Sequence, residues 1–223
     1  MPAHSAVVRV THWITTVSFF ALAVSGIAIL ISHPRLYWGE TGTVDTPSLI
    51  DLPIPFVLEN QNGWGRYLHF LSAWVVVFTG LIYTVSGLWS HHFRKNLLPA
   101  REDLKWRPLS AAISNHMRFK RAIGEEALTY NVLQRISYLA VVFGLFPLMI
   151  WTGLAMSPSL TSVFPVLVNA LGGQQSGRTI HFFGFVVLVL FLAVHITMIT
   201  VSGFGNRMRA MITGGSAPQK DHA

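Results

Sequence analysis

Two histidines, His181 and His195, stand fourteen residues apart in a stretch, Thr179 to Asn206, that contains no Lys, Arg, Asp or Glu. On an α-helix, fourteen steps of ~100° and ~1.5 Å bring the second imidazole to within roughly 40° of the first and about 21 Å further along the axis. Both rings then face one side, at two depths. Ionisable groups in a lipid-crossing helix are rare and mark function, and imidazoles stacked this way suit the axial positions of two porphyrin irons. Two more histidines, His12 and His69, lie in or at the mouth of apolar runs, so each iron could be gripped from both sides. Such bis-histidine ligation is what a low-spin electron-transfer haem requires, because it leaves no axial position for oxygen or substrate.

The elements that must position these rings are apolar spans. The chain of 223 residues is 52% hydrophobic and only 11% charged, too few charges for an ordinary soluble domain. Charge-free windows run from Val10 to Pro34, Tyr67 to Phe93, Ile136 to Gly177 and Thr179 to Asn206, each meeting the ~20 apolar residues a span needs. Pro158, Pro165 and Gly172-Gly173 interrupt the third window, which ends its helix near Ala155 and leaves an interfacial loop. The expected fold is an all-α membrane protein, a four-transmembrane-helix bundle with helices near Val10–Ile31, Tyr67–Trp89, Leu133–Ala155 and Thr179–Ser202. The first run has no small-residue cleavage pattern before His33-Pro34 and reads as a retained anchor. There is no cysteine, which excludes disulfides, thiolate-held iron–sulfur clusters and covalent haem attachment through C-x-x-C-H.

The net charge of +7 does not indicate nucleic acid, because the basic residues follow topology. Arg94, Lys95, Arg101, Lys105, Arg107, Arg118, Lys120 and Arg121 lie between the second and third spans, and Arg207, Arg209 and Lys220 follow the fourth, whereas the segment Ser32–Arg66 holds two basic and four acidic residues. The positive-inside rule places both termini and the middle loop in the cytoplasm, so the acidic first loop faces the periplasm of a bacterial inner membrane. That loop, with Pro34, Pro47, Pro53 and Pro55, reads as ordered turns suited to docking. The middle loop around Arg101-Glu102-Asp103 reads as holding a short interfacial helix. Residues 1–212 form one expected domain and 213–223 a disordered tail.

This topology sorts the histidines by depth. His69 and His181 open their helices on the outer side, while His12 and His195 lie toward the inner side, giving the pairs His69 with His181 and His12 with His195. An independent pattern accompanies them: Arg9-Val-Thr-His12, Arg66-Tyr-Leu-His69 and Arg178-Thr-Ile-His181 all read R-x-x-H. Residues three apart share a helix face, so Arg9, Arg66 and Arg178 sit one turn nearer to water, where haem propionates would emerge and guanidinium is shaped to meet them. Arginine at a helix mouth also snorkels for topological reasons alone. His91 and His92 are the nearest competitors but point in different directions at the inner end of the second span. His4, His33, His116 and His222 fall in tails or loops.

These residues resemble the cytochrome b subunit of membrane-bound formate dehydrogenases, nickel-iron hydrogenases and thiosulfate reductases, a four-helix di-haem family, over nearly the whole chain. The elements that carry the likeness are Arg9-x-x-His12-Trp13, Arg66-x-x-His69, Tyr130-Asn131-x-x-Gln134-Arg135, Pro147 with Thr152-Gly153, and His181-x13-His195. The resemblance implies that one histidine from the first helix, one from the second and two from the fourth hold two non-covalent haem b groups. Cytochromes b of bc complexes, with two spaced histidines on each of two helices, are less similar, since Tyr83 stands fourteen after His69. The likeness further implies a quinone site beside the inner haem, where the Asn131 and Gln134 amides would bond a quinone carbonyl; ordinary capping at a helix entrance is the other reading of those amides.

The expected function is electron transfer across the membrane between a periplasmic molybdenum or nickel-iron oxidoreductase subunit and the quinone pool, with no catalytic residue in this chain. Two rivals remain open at this point. One is a stand-alone cytochrome that exchanges electrons between quinone and superoxide or a ferric chelate. The other, from a different class, is a proton-coupled transporter using the histidines as a relay, which lacks the broken-helix signals of many transporters.

Overall fold

A computed structural model describes residues 5–42, 46–54, 62–99, 105, 110, 114 and 132–215. Helix α1 (Ala6–Ser32) leads into a two-stranded antiparallel pair, β1 (Arg35–Leu36) and β2 (Ile50–Asp51), followed by α2 (Asn62–Trp89). The third span is composite, α3 (Val132–Ala140), a π-helical turn (Val141–Leu145) and α4 (Phe146–Ala155). Two short helices, α5 (Pro158–Thr161) and α6 (Val166–Asn169), precede α7 (Gln174–Val201) and α8 (Phe204–Thr213). Four stretches, Ala6–Ser32, Gly63–Trp89, Val132–Ala155 and Gln174–Val201, are long and apolar enough to cross a membrane.

Three boundaries differ from those expected. Helices α1, α2 and α7 begin several residues before their charge-free windows, because the absence of charge marks what lipid tolerates, whereas backbone hydrogen bonding continues through Arg9, Arg66 and Arg178 into water. His69 and His181 consequently lie within their helices rather than at the openings. The segment after Ala155, expected as a loop, holds α5 and α6: Pro158 stands at the first turn of α5 and Pro165 immediately precedes α6, positions where the missing N–H costs nothing. Thr213, the expected start of the tail, is the last residue of α8; residues 216–223 and the Arg101-Glu102-Asp103 segment lie outside the described residues.

Many large apolar side chains face outward, and several hydroxyls face inward. Val17, Leu71, Leu88 and Trp89 are exposed at 65% or more of their surface, while Ser18, Ser25, Ser72, Thr79, Thr152 and Thr179 are buried. Lipid is as apolar as leucine, so helices associate through small residues that admit close backbone approach. On α1 the buried hydroxyls recur every seven residues, Thr11, Ser18 and Ser25, and on α2 the sequence Gly65, Ser72 and Thr79 repeats the spacing. The hydroxyls satisfy themselves by donating to the carbonyl one turn back, Thr11 to Val7 O at 2.7 Å and Ser25 to Ala21 O at 2.7 Å, which removes the cost of burying them.

The π turn in the third span has a local cause. Pro147 has no N–H for the carbonyl of Phe143, and its ring would collide with that carbonyl in a regular α-helix; widening the turn over Val141–Leu145 relieves both.

The chain divides into two compact units, one drawn from residues 15–78 and 143–189 and the other from 1–14, 79–142 and 190–223. In the first, a Cβ on Gly65 would meet Ala28 Cβ at 3.5 Å and Ser25 O at 3.6 Å, and one on Gly184 would meet Met149 Sδ at 2.6 Å, so α1 approaches α2, and α4 approaches α7, closely. The first loop clamps the start of α7. Gly39 O accepts from Gln175 N (3.0 Å) and Ser176 N (3.3 Å), Gly39 N donates to Ser176 Oγ (2.8 Å), and Thr179 Oγ1 donates to Tyr37 O (2.6 Å). These bonds satisfy N–H groups that a helix start leaves unpaired. The exposed Arg35–Asp51 ion pair (3.2 Å) adds little beside them. Replacing Thr179 by valine is expected to lower stability by about 1–3 kcal/mol, since the Tyr37 carbonyl is left buried without its donor; thermal unfolding in detergent measures it.

In the second unit, α1 and α8 are tied by Arg9 Nη1 donating to Ile212 O (2.8 Å) and Trp13 Nε1 donating to Met211 O (3.2 Å). Carbonyls at the end of α8 thereby gain the cationic and N–H partners that a helix C-terminus favours.

Candidate functional site

Among the described residues, each unit brings a pair of imidazoles face to face. In the first unit the ring centroids of His69 and His181 are 6.2 Å apart with planes inclined at 60°, and in the second those of His12 and His195 are 6.5 Å apart at 45°. An imidazole nitrogen binds a transition metal at ~2.0–2.1 Å, and the ring centroid lies about 1.1 Å behind that nitrogen, so two rings on opposite sides of one metal have centroids roughly 6.3 Å apart. Both pairs fit that requirement. Among the described residues no group of three or more His, Cys, Asp or Glu could hold a metal ion, so the donor chemistry on offer is pairs of imidazoles.

The His69–His181 pair is held by hydroxyls from two other helices. Ser25 Oγ on α1 lies 3.0 Å from His69 Nδ1, and Thr152 Oγ1 on α4 lies 2.8 Å from His181 Nδ1. Both hydroxyl residues are completely buried. Gly26 and Gly153 follow them, and a Cβ at these glycines would reach Cε1 of His69 and of His181 at 3.5 and 3.7 Å respectively. Thr152-Gly153 was visible in the sequence as part of the family likeness. Ser25 was not, although a hydroxyl–glycine dipeptide in a span, matched in depth to a histidine, is the signal that would have found it.

The second pair sits among aromatic rings. His195 stacks on Phe191 (5.7 Å, 20°) and meets Tyr138 edge-on (6.0 Å, 73°), while His12 meets Trp13 edge-on (5.5 Å, 88°). Beside His195 lies a cavity of about 170 Å³ whose polar lining comprises Gln134, Ser137, Tyr138, Ser202 and Arg207. Gln134, on the first turn of α3, thus lines the same cavity as His195; Asn131 lies outside the described residues. Sequence reasoning missed Tyr138 and Arg207, and the spacing that brings Tyr138 to the cavity is one helical turn from Gln134.

The arginines of the R-x-x-H pattern are placed as follows. Arg178 Nη1 donates to Arg35 O at 3.2 Å and Nη2 to His33 O, Arg9 donates to Ile212 O, and Arg66 is exposed. A guanidinium has five N–H groups, so donors beyond these bonds remain for a carboxylate. The competing histidines have other surroundings among the described residues. His91 is exposed, and His92 packs edge-on to Tyr83 (6.3 Å) and Phe93 (5.9 Å), where burial lowers its pKa.

Comparison with known proteins matches residues 3–214 to a family model described as prokaryotic cytochrome b561. The chain is also 28% identical over 198 residues to a protein of Azospira oryzae named "Putative protein-methionine-sulfoxide reductase subunit YedZ1", an alignment that covers 89% of this chain and 90% of that one. No solved structure matches. A family match over almost the entire length accords with four apolar helices, three of which present imidazoles in facing pairs, and the chain belongs to the prokaryotic cytochrome b561 family.

Proposed function

We propose that the protein holds two haem b groups, one between His69 and His181 and one between His12 and His195, and carries electrons between the quinone pool and a periplasmic oxidoreductase partner. Membership of the cytochrome b561 family makes it a multi-pass membrane electron-transfer protein and implies haem b. The observation that supports the ligand assignment is the ring separation, 6.2 and 6.5 Å. Haem b, when bound, supplies a one-electron couple.

The chain's own residues account for the rest. Two imidazoles holding one haem would leave no position for small ligands, which would favour electron transfer over chemistry at the metal. Arg66 and Arg178 supply guanidinium donors for propionates on one side and Arg9 on the other. By the positive-inside rule the His12–His195 pair and its cavity face the cytoplasmic side, and the acidic first loop faces the partner. Gln134 donates from its amide to a quinone carbonyl, Arg207 offers positive charge at the same cavity, and Tyr138 and Phe191 supply the apolar walls expected of such a site. Asn131 is assigned to the same quinone on the family likeness. The printed name of the Azospira relative favours a reductase of oxidised methionine as the partner. Electrons then leave quinol beside His195 and exit beside His69 and His181.

The test is reduction of the oxidised protein in nanodiscs by added quinol. Fast reduction is expected, and Gln134→Leu should raise the quinol concentration for half-maximal rate about five- to ten-fold, the loss of one hydrogen bond, with an unchanged spectrum. Reduction by superoxide but not by quinol would favour a stand-alone cytochrome, and a colourless preparation a transporter.

A further inference from the structure

We infer that Ser25 and Thr152 are positioning residues that fix the proton location and the crossed orientation of the His69 and His181 rings, and thereby set the potential of the haem these rings would hold. This rests on the ligand assignment proposed above.

The same device appears twice, on two different helices. Ser25 Oγ donates to Ala21 O at 2.7 Å, and Thr152 Oγ1 donates to Leu148 O at 2.8 Å. Each hydroxyl has one proton, and with that proton on a carbonyl of its own helix the oxygen accepts from Nδ1–H of the facing imidazole. The other nitrogen, Nε2, then bears the lone pair a metal needs. Each hydroxyl also reaches the carbonyl three residues before it, Leu22 O on α1 and Met149 O on α4, both at 3.2 Å. Gly26 and Gly153 follow, and their missing Cβ atoms admit the edge of each ring. Hydroxyl and glycine at positions i and i+1 thus form one cradle per ring.

Two consequences follow. A ring gripped through Nδ1 cannot turn freely, so the 60° inclination between the two planes is a built feature. The acceptor also raises the basicity of the ligand, which stabilises ferric over ferrous iron. Ser25 and Thr152 are completely buried, so no solvent molecule can take over the bond.

The experiment is a redox titration of the full-length protein in nanodiscs, with low-temperature electron paramagnetic resonance, for Ser25→Ala, Thr152→Val and the double variant. One of the two haems should shift to a higher potential, by roughly three- to ten-fold in its oxidised-to-reduced equilibrium constant per hydroxyl removed, with a changed resonance envelope. The other haem should stay as it was. Ser25→Thr and Thr152→Ser keep the hydroxyl and should restore wild-type behaviour. If Ser25→Ala instead loses the haem that His69→Ala loses, while Ser25→Thr keeps it, the positioning role stands. An unshifted double variant, or equal shifts at both haems, overturns the inference. Retention of both haems in His69→Ala would overturn the ligand assignment itself, a separate failure.

Discussion

Replacing His69 or His181 by alanine is expected to halve the haem content of the purified protein, from two per chain to one, and both variants should lose the same haem. The rings face each other at 6.2 Å, and non-covalent haem held by two imidazoles has little to keep it once one is gone. The surviving haem should keep an unperturbed bis-histidine spectrum, because Tyr138, Phe191 and Trp13 around His12 and His195 are untouched. Replacing His12 or His195 should remove the complementary spectrum. Reduced-minus-oxidised difference spectra, normalised to protein, read all four variants. Two haems retained in both His69→Ala and His181→Ala, or different residual spectra for these two, would contradict the pairing.

The largest stability effect is expected from Gly173→Ala. Gly173 is buried with φ of 122°, a conformation that costs an L-residue about 1–3 kcal/mol. An added Cβ would also overlap the Gly39 carbonyl, the very group that accepts from Gln175 and Ser176 at the start of α7. Backbone cannot yield cheaply there, since Gly39 N is bonded to Ser176 Oγ and Tyr37 O to Thr179. A loss of about 3–5 kcal/mol and a melting shift of roughly 5–15 °C are expected. Gly205→Ala is the control: nothing lies within 4 Å of its Cβ position and its φ is not positive, so it should melt within a degree or so of wild type. Equal melting of the two variants would show that the loop does not clamp α7.

Legibility of the sequence followed the range of the interactions. Helix existence and the depth of each histidine are one-dimensional facts, fixed by hydropathy and by 1.5 Å per residue; the structure places His69 opposite His181 and His12 opposite His195, the pairs that counting along the helices predicts. Gln134 lines the cavity that His195 also lines. The hydroxyl contacts were hidden because Ser25 and Thr152 read, in sequence, as residues bonded to their own helix, which they also are. Only the packing of α1 on α2 and of α4 on α7 reveals the second bond. The clamp was hidden for a similar reason: Thr179 and Tyr37 are 142 residues apart, and nothing local in either announces the other. Two of the R-x-x-H arginines hold carbonyls of other segments, a use that spacing along one helix does not disclose.

Haem extracted from the purified protein and quantified against amino-acid analysis, together with electron paramagnetic resonance of the ferric state, decides whether two irons each lie between two imidazoles, as proposed. The expected result is two haem b per chain, both low-spin and both insensitive to carbon monoxide. A ratio of one or zero, or a high-spin centre that binds carbon monoxide, would rule that arrangement out.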